Sequence, residues 1–253
     1  MSIAACAEIV RQGDPDRFLA TMAAAPEARE ILFPIYAFNV EVARAPWVTS
    51  EPHLAEIRVQ WWADVLAEIA DGKHPRMHEV AAPLAGVTTP EVAGILTEVV
   101  ETRRLDCYDE AFESTDALHA YASGSSGALY WAAAKALGVT SEHEMAVRQV
   151  GTAAGLANFL RALPELHARG RTPDRDIADK EVAELASAAR KTLRNARKAV
   201  PKMAYAVTRA SWLADRTLRS AAANPVSIRN GTLHIPEFHR RGSLLWRVLR
   251  GAP

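Results

Sequence analysis

Gly151-Thr152-Ala153-Ala154-Gly155-Leu156-Ala157-Asn158-Phe159-Leu160-Arg161-Ala162-Leu163-Pro164-Glu165-Leu166 sets how the rest of the chain is read. Val147, Val150, Ala154, Ala157 and Leu160 recur at helical spacing, so the stretch is the second half of a helix. Ser141 and Glu144 fit a capping box at its start, and Pro164 is expected to end it. The helix is thin: Gly151, Ala153, Ala154, Gly155 and Ala157 leave two turns with almost no side-chain bulk. Each glycine costs about 1 kcal/mol of helix propensity relative to alanine. Something must therefore come close, either another backbone or a long apolar ligand. Asn158 and Arg161 follow as polar groups near the helix end.

Outward from this point the chain reads as all-α. Glu27–Arg44 carries Ile31, Leu32, Ile35, Phe38 and Val42 on one face, with Pro34 predicting a kink. Pro52–Asp71 repeats the pattern with Ile57, Trp61, Val65, Leu66 and Ile69. Thr89-Pro90 opens a helix running to about Cys107, and another runs from Thr115 to Gly138. Asp179–Val200 is a basic helix; Pro201 starts the next, which ends near Ala223. Pro225 opens an irregular tail, with one more helix over Glu237–Leu249. No alternating strand or internal repeat is present, and nine or ten helices are expected in a single domain over residues 1–253.

Composition limits the function classes. The content is 49% apolar and 24% charged, which is globular. The formal net charge is zero but unevenly spread. Residues 1–185 hold 16 Lys and Arg against 28 Asp and Glu, a net of −12; residues 186–253 hold 14 against 2, a net of +12. The basic region 186–253 calls either for an anionic partner or for the acidic part of its own fold. Cys6 and Cys107 form no disulfide framework and no zinc spacing, which points to a reducing compartment. The N-terminus has no signal-peptide pattern, and no apolar run approaches the ~18 residues needed to span a bilayer.

Two stretches carry a family resemblance. Asn158, Leu160, Arg161, Gly170 and Arg171 match an "N-x-L-R-D-x-x-x-D" helix end with its "G-R" loop, and Leu32, Tyr36, Ala37 and Phe38 match a "Y-A-F-x-R-x-x-D-D-x-x-D" helix. The chain thereby resembles the squalene/phytoene synthase family. The resemblance implies an isoprenoid-synthase-like helical bundle around a central cavity. It also implies two facing acidic motifs, at positions that here hold Ala43, Arg44, Trp47, Ala162 and Leu166. Allylic diphosphate ionisation needs Mg²⁺, and Mg²⁺ needs carboxylates grouped on one helix face. Glu41 and Glu165 are single carboxylates about 100–200° off that face. Ala37-Phe38-Asn39-Val40-Glu41, Arg58-Val59-Gln60-Trp61-Trp62, Glu101-Thr102-Arg103 and Leu160-Arg161-Ala162-Leu163-Pro164 narrow the resemblance. They point to a branch that includes a mitochondrial respiratory complex I assembly factor, over roughly residues 15–172.

The expectation that follows is a non-catalytic assembly or chaperone-like factor for a complex I-like respiratory membrane complex, with a subunit of that complex as partner. The alternative is a squalene/phytoene-synthase-type prenyltransferase or an isoprenoid-lipid-binding protein. Mg²⁺ enters only under the prenyltransferase alternative, and otherwise no cofactor is expected. Candidate cavity residues are Tyr36, Asn39, Glu41, Ala43, Arg44, Trp47, Asn158, Arg161, Ala162 and Glu165, with an ion pair between Glu41 and Arg161. The expected location is cytoplasmic, peripheral on the inner membrane, with the basic tail as membrane contact and no nucleic acid bound. His74 and His78 are separated by Pro75, which argues against a helical metal pair. Tyr121, Tyr130 and Trp131 read as core, Trp61-Trp62 as one buried and one half-exposed ring, and Asp106, Asp109 and Glu110 as a solvated helix end.

Overall fold

Prolines at helix starts, glycines past helix ends and apolar spacing divide the chain as the sequence predicts, with finer breaks. The structure, a computed structural model, describes residues 2–49, 51–108, 110–175, 177–231 and 237–252, with residues 229 and 237–241 described by backbone alone. Asp109, and the side chains of Phe238, Arg240 and Arg241, therefore lie outside the described residues. Among the described residues there are fourteen α-helical segments and no strand. The N-terminal part comprises α1 (Ile3–Gly13), α2 (Pro15–Met22), α3 (Pro26–Arg44), α4 (Pro52–Ala70), α5 (Ala81–Ala85) and α6 (Pro90–Arg103). The middle comprises α7 (Thr115–Ala122), α8 (Ala128–Ala136) and α9 (Glu144–Ala168). The C-terminal part comprises α10 (Asp179–Ala199), α11 (Tyr205–Thr208), α12 (Ala214–Ala223), α13 (Pro225–Arg229) and α14 (Glu237–Leu249).

Close backbone approach explains the thin stretch. A single π-helical turn, Ser123–Gly127, joins α7 to α8 and lies against α9. A Cβ on Gly155 would stand 2.5 Å from Ser126 Cβ, and one on Gly151 only 2.7 Å from Tyr130 Cβ and 2.8 Å from the Ser126 carbonyl. The fit is reciprocal: a Cβ on Gly127 would stand 2.7 Å from Thr152 Oγ1. The π turn, with the first side-chain atoms of Ser126 and Tyr130, thus fills the space left by the missing side chains, and α8 packs along α9 in the core. All of Ala128–Ala134 is buried, as the most apolar window of the chain requires. On α10 the buried positions Val182, Ala186, Ala189, Leu193 and Ala196 form one stripe, leaving its basic residues on the other side.

Three sequence expectations are corrected. Pro164 does not end α9; the helix continues to Ala168. The missing N–H costs one backbone bond to Leu160, but the extra turn packs Leu166 on the core. The stop is Gly170 at φ +80°, where Arg171 N–H bonds the Leu166 carbonyl at 2.9 Å and Gly170 N–H the His167 carbonyl at 2.9 Å, a Schellman closure. Ser141 does not cap α9 either, because it opens a 3₁₀ turn and its hydroxyl accepts from Lys135 Nζ at 3.1 Å, while Glu144 turns to Arg148 at 2.7 Å. Finally, Pro225 starts helix α13 instead of an irregular tail, with the Asn224 side chain accepting from Ser227 N–H at its N-terminus.

Candidate functional site

The N-terminus of α2 builds the most unusual feature of the interior. Asp14 caps it, accepting from Arg17 N–H at 3.0 Å, and Pro15 takes the first helical position. That cap turns the Arg17 side chain inward. Arg17 is only 5% exposed; its Nε donates to Asp14 Oδ2 at 2.8 Å, and its guanidinium lies 4.8 Å from the Tyr36 ring centroid and 5.4 Å from that of Tyr130. Burial works against the Arg17 charge, yet Asp14, Tyr130 and Tyr36 outweigh it and hold its pKa above the ordinary arginine value. Burial in turn pushes the Tyr36 hydroxyl up and the Tyr130 hydroxyl up to about 12. Arg17 Nη1, Tyr36 OH and Tyr130 OH are buried with no hydrogen-bond partner in the structure. Together these three side chains fill the space between α2, α3 and α8.

Arg17 also forms the inner wall of a cleft of about 280 Å³ between α2, α9 and residues 210–214. Asp16, Asn158, Arg161 and Trp212 also line it. At its rim Arg161 Nη2 pairs with Asp16 Oδ2 at 2.9 Å. Trp212 is 3% exposed, and its indole N–H has no partner.

The C-terminal end of α3 meets the loop after α9 at a second point. Trp47, on the 3₁₀ turn Ala45–Trp47, is covered by two guanidinium groups, Arg169 at 5.1 Å and Arg171 at 4.6 Å from the ring centroid. Arg169 is also paired with Glu165 at 2.7 Å, and Arg171 donates to the Asp106 carbonyl at 2.7 Å. Behind it, Asp106 accepts from Arg103 at 2.9 Å and from the Tyr121 hydroxyl at 2.7 Å. Asp106 is therefore a half-buried anchor, not the fully solvated helix end expected from sequence, because Arg103 and Tyr121 converge on it from α6 and α7.

The candidate residues thus divide. Asn158, Arg161 and Ala162 line the cleft, and Tyr36 lies beneath it against Arg17. Trp47 and Glu165 share the arginine clamp through Arg169. Asn39 and Ala43 are half-buried on α3 and line neither feature. Glu41 pairs with Arg44 one turn away, at 3.1 Å. The expected Glu41–Arg161 ion pair is not formed, because α2 presents Asp16 to Arg161 first. Sequence reasoning missed Asp14, Asp16 and Arg17. Periodicity cannot show that a charged side chain turns inward. The weaker readings agree with the structure: Tyr130, Trp131 and Trp62 are buried, Trp61 is half-buried, and His74 and His78 lie on non-helical chain.

Among the described residues no three His, Cys, Asp or Glu side chains gather as a metal-binding group. At the cleft the two carboxylates, Asp14 and Asp16, each face an arginine at 2.8 and 2.9 Å. This donor set does not fit a Mg²⁺–diphosphate cluster, which needs several carboxylates free of cationic partners.

The squalene/phytoene synthase family model matches residues 10–240. Among curated relatives, NADH dehydrogenase (ubiquinone) complex I assembly factor 6 of Bos taurus is 26% identical over 168 residues, covering 66% of this chain and 50% of that protein. The Homo sapiens factor is 26% identical over 161 residues, covering 63% and 48%. The Drosophila melanogaster homolog is 28% identical over 166 residues, covering 63% and 50%. The chain spans about half the length of these relatives. Among solved structures, a dehydrosqualene synthase in complex with ligand superposes with a TM-score of 0.76 at 15% identity, covering 98% of this chain and 95% of that one. Squalene synthase HpnC from Alicyclobacillus acidocaldarius gives 0.66 at 14% identity, covering 91% and 94%. The likeness establishes the fold: an all-α, isoprenoid-synthase-like bundle.

Proposed function

This chain belongs to the squalene/phytoene synthase family, and on that premise we propose that it acts without prenyl transfer, as an assembly or chaperone-like factor for a complex I-like respiratory membrane complex. Its partner is then a subunit of that complex. Its place is the cytoplasmic face of the inner membrane, held peripherally; among the described residues no helix is long and apolar enough to cross a membrane. The arginine clamp carries the reading. Trp47 stands where the family resemblance expects a metal-binding aspartate, and it lies under Arg169 and Arg171. The indole offers a divalent metal no carboxylate oxygen, and the two guanidinium charges over it would repel one. The similarity to complex I assembly factor 6 supports the same reading.

The test has two arms. Deleting the gene from its own host is expected to lower assembled complex I on native gels while other respiratory complexes stay at wild-type amounts. An unchanged complex I level would overturn the assembly role. Purified protein given farnesyl or geranylgeranyl diphosphate with Mg²⁺ is expected to show no turnover, and turnover above the buffer control would overturn the non-catalytic part.

One observation favours an isoprenoid-lipid-binding alternative: two residues that line the cleft, Arg17 and Trp212, carry buried N–H groups, Nη1 and the indole N–H, with no partner. A phosphate headgroup in the cleft would sit against Arg17 and Trp212. At about 280 Å³ the cleft lies at the lower end of ligand-site volumes, about 300–1,000 Å³, so it suits a headgroup better than a whole prenyl chain. Pyrophosphate binding seen by calorimetry, lost in Arg17→Met, would support this alternative.

A further inference from the structure

The C-terminal helices hold a second concavity that the cleft does not use. Helices α10, α12 and α14 enclose a groove of about 660 Å³ lined by seven arginine and lysine side chains and one carboxylate, Asp215. The sequence stripe that buries Ala186, Ala189, Leu193 and Ala196 leaves Lys191, Arg194 and Lys198 on the opposite side of α10, facing outward. Asp215 is already engaged by Arg190 at 3.1 Å. Arg197 reaches inward, donating to the Ser211 carbonyl at 2.8 Å and to Ser211 Oγ at 2.7 Å, while its Nε is buried with no partner. Arg247 of α14 lines the same groove. Burial, and to a lesser degree the neighbouring Arg247 charge, push the Arg197 pKa down to about 10.

Beside the groove, α14 has two apolar sides. Leu244 and Val248 pack against Trp212, Leu213 and Ala20. Leu245, Trp246 and Leu249 instead face solvent, 59%, 56% and 73% exposed, with Arg250 stacked 4.1 Å from the Trp246 ring centroid. A helix that sets basic residues beside exposed Leu and Trp matches the boundary between lipid headgroups and acyl chains. A bilayer satisfies both features at once. A nucleic acid or acidic protein would engage the cations and leave the three apolar side chains in water.

We propose that this face docks on an anionic phospholipid bilayer, with lipid phosphates in the α10–α12–α14 groove and Leu245, Trp246 and Leu249 entering the headgroup–acyl boundary. The proposal deepens the reading above by giving the factor a membrane face. It is measured without any respiratory complex, so failure of either leaves the other standing.

The experiment uses the purified full chain and sedimentation with phosphatidylcholine vesicles, with or without 30% phosphatidylglycerol. Each basic residue near an anionic surface is expected to give about fivefold in partitioning, so Lys191→Gln/Arg194→Gln/Lys198→Gln together lower binding about 100-fold. Trp246→Ser/Leu249→Ser is expected to weaken binding even at low salt, where the charges are least screened. Melting temperatures confirm that both variants fold. Equal binding of the wild type to neutral and anionic vesicles would overturn the proposal. So would full vesicle binding by the triple variant. If the Trp246/Leu249 variant binds vesicles undiminished and heparin displaces the wild type from them completely, the groove serves a soluble polyanion and the bilayer assignment fails.

Discussion

Replacing Arg17 with Met tests whether the buried cation holds the fold or waits for a ligand. The substitution keeps most of the volume between the Tyr36 and Tyr130 rings but removes the charge. Three effects compete. Breaking a fully buried ion pair costs about 3–5 kcal/mol, but the Asp14 side chain is 28% exposed, so the cost here lies well below that range. Losing two desolvated cation–π contacts costs about 1–3 kcal/mol together. Removing the unpartnered Nη1 returns about 1–3 kcal/mol. The sum predicts destabilisation of about 2 kcal/mol. For a domain of this size that lowers the melting temperature by about 4–8 °C. Asp14→Asn keeps the α2 cap, since Asn caps as well as Asp, and removes only the charge. The two substitutions form a double-mutant cycle whose coupling reads the ion pair alone. Thermal unfolding by circular dichroism is the assay. If Arg17→Met proves as stable as the wild type or more so, the guanidinium is not a structural element. Pyrophosphate should then raise the melting temperature of the wild type and not of the variant.

Two further predictions rest on local contacts. Gly151→Ala forces a Cβ to within 2.7–2.8 Å of Tyr130 and the Ser126 carbonyl, so it should cost more than about 2 kcal/mol despite alanine's better helix propensity. Gly94→Ala, in the middle of α6 with nothing within 4 Å, should stabilise by about 0.5–1 kcal/mol, and urea unfolding of the pair would refute the close-approach account if both moved the same way. Arg161→Met breaks a pair whose arginine side chain is 33% exposed, so a loss of no more than about 1 kcal/mol is expected, and a drop in melting temperature beyond about 4 °C would mean that the Asp16 link is far stronger than its exposure allows.

How far the sequence carried the fold can be judged at its breaks. Helix interiors were legible because burial imposes a period: Leu32, Ile35, Phe38 and Val42 on α3 and Val147, Val150, Ala154 and Ala157 on α9 are buried as their spacing requires. Helix ends were less so. Pro164 looks like a stop because it removes a hydrogen bond, a local and visible cost. The gain that overrides it, packing of Leu166 against the core, belongs to the tertiary structure. Gly170 was present in the sequence as the alternative stop, but nothing local says which of the two signals wins. The thin stretch was legible as a close approach, and only the partner was open. That partner, the π turn at Ser123–Gly127, has no pattern of its own beyond small residues.

The site was less legible, for a reason of charge. A sequence shows which acids and bases exist but not which face each other across the fold. Pairing Glu41 with Arg161 assumed that the α3 and α9 ends meet directly. The N-terminal turn of α2 supplies Asp16 to Arg161 instead. The result is a set of carboxylates each already answered by an arginine: Glu41 by Arg44 at 3.1 Å, Asp16 by Arg161 at 2.9 Å, Glu165 by Arg169 at 2.7 Å and Asp14 by Arg17 at 2.8 Å. The exposed pairs contribute only about 0–1 kcal/mol each to stability. Their larger effect is electrostatic balance. A divalent cation entering here would have to displace a guanidinium from each carboxylate, and at a spacing of ~4 Å the displaced cations would repel it by about 1 kcal/mol per charge pair in water and several times that in the interior. An anion meets the opposite situation, because Arg17 keeps a buried donor in reserve beneath the cleft. The same helix framework that can gather carboxylates around a metal has here become a self-neutralised surface with one cation held in its floor. That charge arrangement is the physical ground for the proposal that this chain recognises a phosphate or an acidic partner and does not ionise a metal-bound diphosphate.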